Sequence, residues 1–422
     1  MTAALLAVSL LAGCSGASPD RRDGSPTMFG TMVSPCGPGD ARGATARGVT
    51  DTTITIGFGD DSGNPSSPGL NAEMGDAVSA MIEWCNAQGG ILGRRIIGDR
   101  HDAAITKVAA VMGEACDRDF MLVGQGWLLD EVQEPIRIEC GLATVPTFAV
   151  SQRFAGAPLM VQPSPDPSDR RDAAGTFLMA DRYPNEVRRA ATMLGNVPEM
   201  AAEARRSVEV NRRAGWEYLD CSQTYNVGGE SNWTPFVQRL ATCGAEVVQF
   251  LGAPGPGFEG VLAAARAIGY EPIWMQTAAF YDPNLAAWNT SGLADQVFVS
   301  MTYYPFEQAD RVPAVAQYLE LLRSAKGAVG LLGEQAAAAF LLWAQGARAC
   351  GSNLTGECVI DALGEVTSFT AGGLQSPTDP ANGLPSSCAL VLRLRGARYE
   401  QVLPTEPATQ ACDRSYLVSI PD

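Results

Sequence analysis

The stretch "NAEMGDAVSAMIEWCNAQGGILGRRIIGDR", residues 71–100, decides the fold class. Apolar residues recur at helical spacing up to Ala87, and the paired glycines Gly89 and Gly90 stop the helix in a left-handed turn. A strand follows in "RRIIGDRHDA" (94–103). Upstream, "TITIGF" (Thr53–Phe58) reads as a buried strand, joined to the helix by the polar loop "GDDSGNPSSPG".

The alternation continues outward. "ITKVAAVMGEACDRD" (105–119) reads as a helix, "FMLVGQG" (120–126) as a strand, "LLDEVQEPIRIECG" (128–141) as a helix and "LATVPTFAV" (142–150) as a strand. Strands alternating with helices imply a parallel sheet covered on both faces, wound by right-handed crossovers. After the proline-rich break "VQPSPDPSDRRD" (161–172) the pattern restarts. A helix from Asp172 to about Arg182 leads into strands at "RAATML", "WEYLDCSQTYN", "EVVQFLG", "PIWMQTA" and "VFVSMTYY", the first four separated by helices. Helices dominate from Val312 to Leu363, and "CALVLRLRGARYEQVL" (388–403) reads as a hairpin. The chain thus divides into two similar α/β halves.

At 422 residues the chain has room for two cores. Its net charge of −16 repels a phosphate backbone, so nucleic acid is not an expected partner. Eleven cysteines and a single histidine, His101, with no CxxC, exclude the usual zinc patterns; neither a metal nor a cofactor is expected. An odd cysteine total points to one special thiol and ten that pair outside the reducing cytoplasm. The stretch "LAGC" (11–14) resembles a bacterial lipobox. It follows the short apolar run Ala3 to Ala12, which is too short to span a bilayer. The expectation is a signal peptide over 1–14 with Cys14 lipidated, holding the protein outside the cytoplasm at the cell membrane. Residues 15–49, rich in Gly, Ser, Pro, Asp and Arg, read as a flexible tether. No GxSxG or P-loop occurs, and one histidine leaves little scope for a His-based hydrolase.

Taken together, "GVTDTTITIGF", "WCNAQGGILGRRI", "LVGQG", "VPTFAVS", "QPSPDPSDRRDAAGTFL", "FVQRLATCGAEVVQFLG", "AIGYEPIWMQTAAFYDP" and "VSMTYYPFEQAD" resemble the leucine/isoleucine/valine-binding family of type I periplasmic binding proteins, receptors of ABC importers. The resemblance covers about residues 48–403. It implies an α/β fold of two doubly wound parallel-sheet lobes joined by three crossovers. The first lobe would hold 50–160 and 302–366, and the second 161–301 and 367–422. It implies a monomeric, non-enzymatic receptor that clamps a small solute (an amino acid, an amide or a similar molecule) by hinge closure and delivers it to a membrane permease. A sensor signalling to a partner protein, or a secreted hydrolase, are the alternatives, since fold alone does not fix function.

The resemblance also implies the contacts. The loop "GDDSGN" contributes Asp61 and Ser62, with a solvated acidic loop as the slightly preferred alternative; "VGQGWLLDE" contributes Gln125, Gly126 and Trp127; "PTFAVS" contributes Phe148, Ala149 and Ser151; "AAFYDP" contributes Phe280 and Tyr281; and Tyr303 stands at a crossover. For Trp127 and Phe148, core packing is an equal alternative; for Tyr303, hinge packing is. Where the family places an acid for the solute's ammonium, this chain has Ala278 and Ala279, which argues against a free α-amino acid unless Asp60, Asp61 or Glu334 substitutes. The family's sheet order puts Cys116 and Cys140 on one face and leaves Cys85 for Cys36. Cys221 with Cys243, Cys350 with Cys358 and Cys388 with Cys412 complete the expected set, although sequence does not fix connectivity.

Overall fold

The computed structural model describes residues 27–65 and 67–420. The lipobox, Cys14 and the start of the tether lie outside the described residues. From Thr27 onward the segment expected to be a flexible tether is folded. Strands β1 (Met28–Phe29) and β2 (Met32–Val33) form a hairpin, and Phe29 is buried against the edge of Trp84. Gly30 turns the hairpin at φ +52°, where a β-carbon would stand 2.2 Å from the Gly372 carbonyl oxygen. Cys36 is bonded to Cys85, and the buried Arg94 guanidinium donates to the carbonyls of Gly43, Thr50 and Gly351. Composition hid this segment because its anchors, Phe29, Cys36, Ala41 and Val49, follow no period.

The first lobe is built on β3 (Thr53–Asp60), α1 (Ala72–Ala87), β4 (Arg95–Asp102), α2 (Val108–Arg118), β5 (Leu122–Val123), α3 (Asp130–Glu139), β6 (Thr144–Val145) and the short α4 (Gln152–Ala155). Its sheet runs β4-β3-β5-β6, all parallel. β5 and β6 are shorter than the apolar runs suggest. Gly124 leaves the sheet at φ +73°, and Pro146 has no N–H to extend the ladder. Right-handed crossovers place α1 on one face and α2 with α3 on the other, where Cys116 bonds Cys140.

The second lobe follows β7 (Arg170–Asp172): α5 (Ala174–Arg182), β8 (Ala190–Gly195), α6 (Pro198–Arg213), β9 (Gln223–Tyr225), α7 (Thr234–Cys243), β10 (Val247–Leu251), α8 (Pro256–Ala267), β11 (Ile273–Gln276), α9 (Pro283–Trp288) and β12 (Val297–Met301). The chain then returns to the first lobe for α10 (Pro313–Ala325), α11 (Leu331–Cys350) and α12 (Gly356–Leu363). α11 is buried along most of its length, and its alanines let α1 pack closely. The second sheet is completed by β13 (Cys388–Arg395) and β14 (Arg398–Leu403). β15 (Ala411–Cys412) pairs with β13, and β16 (Leu417–Ser419) pairs with β7. The strand order is β14-β13-β12-β11-β10-β8-β9, parallel except where β13 enters antiparallel. The other disulfides join Cys221 to Cys243, Cys350 to Cys358 and Cys388 to Cys412. All five pairs are those of the expected set, two of which rested on the sheet order. No helix of the described residues is long and apolar enough to cross a membrane.

The three crossing segments are bonded to one another. Ser376 N donates to Thr302 O at 2.7 Å and Tyr304 N to Leu374 O at 3.0 Å. The buried Gln375 amide donates to Pro163 O (2.9 Å), and its oxygen accepts from the Tyr303 hydroxyl (2.6 Å). Thr378 Oγ1 also donates to Pro163 O, at 2.7 Å. Gln375→Leu keeps the bulk but strands these buried partners. The expected loss is about 2–4 kcal/mol of unfolding free energy, read from denaturant midpoints, while Tyr303→Phe costs about 1 kcal/mol.

Candidate functional site

The C-terminal ends of parallel strands put loops, rather than side chains of the sheet, at the mouth of each lobe. In the first lobe Asp61 organises that mouth. Its fully buried carboxylate accepts from Ile105 N (2.6 Å) and Leu128 N (3.0 Å), tying the loops after β3, β4 and β5 together. Ser62 N donates to Asp60, whose carboxylate also holds Arg100 at 2.7 Å. Gly126 lies against Phe148, and a β-carbon there would stand 2.4 Å from the ring. Ser62, Phe148, Ala149 and Ser151 are half-buried. Ser151 caps α4 by accepting from Phe154 N.

Between the lobes lies a cavity of about 560 Å³. The first lobe contributes Gly69, Glu73 at the start of α1, and Val329 to Leu332 at the start of α11. The second contributes Ala253, Pro254, Ala278, Ala279, Tyr281 and Asp282. Asp282 also caps α9 by accepting from Leu285 N at 2.7 Å.

Several expected contacts therefore move into the core. Trp127 is fully buried, clustered with Val108, Met112 and Leu142. Gln125 is buried and donates to Thr144 Oγ1 (2.7 Å). Phe280 packs among Phe250 and Phe258, and Tyr303 belongs to the hinge. Tyr281 alone of the expected residues lines the cavity. Sequence reading missed Asp282, Glu73, Val329 and Leu332; the first lies only three residues beyond the alanine pair where an acid was sought.

Two buried acidic sites stand near or behind this surface. His101 Nε2 meets Asp119 Oδ2 at 2.7 Å in the first lobe, with Asp99 alongside, making a cluster of metal-ligand type. Arg118 holds Asp99 at 3.0 Å, so protein partners occupy most of these ligand atoms and the grouping is read as structural. Burial raises the Asp119 carboxyl above the usual range, against the opposing bond from His101. Glu334, in the first turn of α11, is fully buried and its carboxylate oxygens have no protein partner. It acts electrostatically on Tyr281, Tyr303 and Tyr318, yet their hydroxyls bond Glu307, Gln375 and the Gly330 carbonyl instead. Burial therefore holds its carboxyl well above the ordinary glutamate range.

Two α/β lobes of like topology, hinged through three bonded segments and facing each other across a cavity, define a two-lobed solute receptor. The profile of the family described as periplasmic binding protein matches residues 53–398, and the chain belongs to that family. It is a solute-binding receptor of the kind that serves ABC transporters. Among solved structures it is similar to a fatty acid ABC transporter substrate-binding protein from Thermomonospora curvata, with TM-score 0.68, 15% identity and coverage of 90% of this chain and 97% of that one. A branched-chain amino acid ABC transporter protein from Thermus thermophilus with bound valine gives TM-score 0.66 at 16% identity, covering 86% and 98%. A solute-binding protein from R. palustris in complex with 4-hydroxybenzoate gives 0.63 at 15%, covering 83% and 96%. No curated protein matches the sequence.

Two outcomes follow from the site. Because the folded-state value of Glu334 is raised, its contribution to stability is present below the unfolded glutamate value and is lost as pH rises toward the folded value. Glu334→Gln should flatten the decline of unfolding free energy as pH rises above the ordinary glutamate range, by up to about 1.4 kcal/mol per pH unit. Gly126→Ala should displace Phe148 and cost about 1–3 kcal/mol, seen as a lower melting temperature.

Proposed function

We propose that this chain is the receptor subunit of an ABC importer, non-enzymatic and monomeric, held outside the cytoplasm by lipidation of Cys14. The lobes close about the bonded hinge over one small organic solute, and the closed form docks on the permease. The observation that carries this reading is the cavity of about 560 Å³, walled by helix starts of one lobe and loops of the other. A volume of that size suits a small molecule. The T. curvata, Thermus thermophilus and R. palustris proteins are described with a fatty acid, valine and 4-hydroxybenzoate, so the architecture accommodates solutes of unlike chemistry. The buried His101–Asp119 pair leaves no histidine for a catalytic triad, which also favours a receptor.

The test is a thermal-shift screen of amino acids, amides, aromatic acids, fatty acids and quaternary amines. A solute of the right class should raise the melting temperature. Leu332→Trp, which fills the cavity, should abolish that rise while leaving the solute-free melting temperature within a few degrees. Absence of any shift across the panel would contradict the receptor reading.

A further inference from the structure

A second cavity, about 310 Å³, opens beside the cleft and shares Tyr281, Pro283 and Val329 with it. Its walls are aromatic. The Tyr281 ring lies 5.4 Å from Phe306 and 4.9 Å from Tyr399, centroid to centroid, with tilts of 50° and 64°. Glu307 is the charged residue of the lining, and no Arg or Lys joins it. One Glu307 oxygen accepts from the Tyr281 hydroxyl (2.7 Å) and the other from Tyr399 N (3.2 Å), which fixes the carboxylate at the edge of the rings.

The adjoining cleft has the same sign. Glu73 and Asp282 reach it from opposite lobes, again with no Arg or Lys in the lining. Glu73 is held above its ordinary range by burial, with Asp60, Asp76 and Asp282 adding to the shift. A solute carboxylate entering here would meet the acidic side chains Glu73, Asp282 and Glu307 and no Arg or Lys of either lining. A neutral solute would leave Glu307 uncompensated as closure excludes water. A cation offsets that charge and is attracted to the faces of aromatic rings.

The kind of cation follows from the remaining walls. Pro283, Ala286, Ala287, Val329 and Ala397 are apolar, and both Glu307 oxygens already accept protein hydrogen bonds. A primary ammonium needs acceptors for three N–H groups, whereas a quaternary ammonium has no N–H, needs none and presents apolar surface. We propose that the solute is an organic cation whose quaternary ammonium occupies the Tyr281–Phe306–Tyr399 pocket beside Glu307. This rests on the receptor reading above and names its solute class.

The experiment is calorimetric titration of the whole chain with choline, tetramethylammonium, the neutral isostere 3,3-dimethyl-1-butanol, valine and benzoate. It is repeated on Phe306→Leu, Glu307→Gln and Ala287→Phe. The last replaces an exposed residue at the pocket wall, so it fills the pocket with little risk to folding. Choline should bind at least tenfold more tightly than its neutral isostere, and each variant should weaken choline at least tenfold. The inference is overturned if the isostere binds as well as choline, or if choline binding survives Ala287→Phe and Phe306→Leu. It is also overturned if valine or benzoate binds while both quaternary cations do not, in which case the receptor reading stands. If nothing on the panel binds and the wider screen is also silent, both readings fall together.

Discussion

The bonding of three chain segments to one another at the hinge is the constraint on which the rest depends. Gln375, Tyr303, Thr378 and the Pro163 carbonyl form a buried network that joins three passages between the lobes, although their residues lie up to 215 positions apart. Such a network is costly to leave half-satisfied. It therefore ties the three passages together at one place between the lobes, with the two mouths facing each other across the cavity. Without it the two sheets would be separate domains on flexible linkers, and a shared cavity would have no defined shape.

The polarity of the cleft follows from that arrangement. The starts of α1 and α11 face the loops after β10 and β11 across the cavity, so Glu73 and Asp282 line it from opposite lobes. Helix starts ordinarily favour negative charge, which lets these carboxylates sit there without a protein cation. Behind them the Glu334 carboxylate has no protein hydrogen-bond partner, and burial holds it well above the ordinary glutamate range. Each lobe thus presents a carboxylate to the cleft, Glu73 from the first and Asp282 from the second, and Tyr281 and Tyr399 of the second lobe supply aromatic rings beside it.

The alternation of strand and helix was legible in the sequence because each element carries its own periodicity, from Thr53 through the hairpin ending at Leu403. The segment 27–49 was not legible, since its buried residues are single anchors without a period. The site was legible only in part. Loops after strands were the right place to look, but which way a side chain turns depends on the next residue's backbone. Trp127 and Phe280 turn into cores, while Tyr281, itself buried, also borders the cavity. Val329 and Leu332 were invisible because helix α11 reaches the cleft only through the return of the chain from the second lobe.

The central claim is that the lobes close about this hinge when solute enters. It is tested most directly by spin labels at Glu83→Cys on α1 and Arg239→Cys on α7, both exposed and one on each lobe, with the interlabel distance measured by pulsed electron resonance. With a solute that raises the melting temperature, the account predicts that the distance distribution narrows and shifts by more than about 2 Å. An unchanged distribution with solute bound would contradict it.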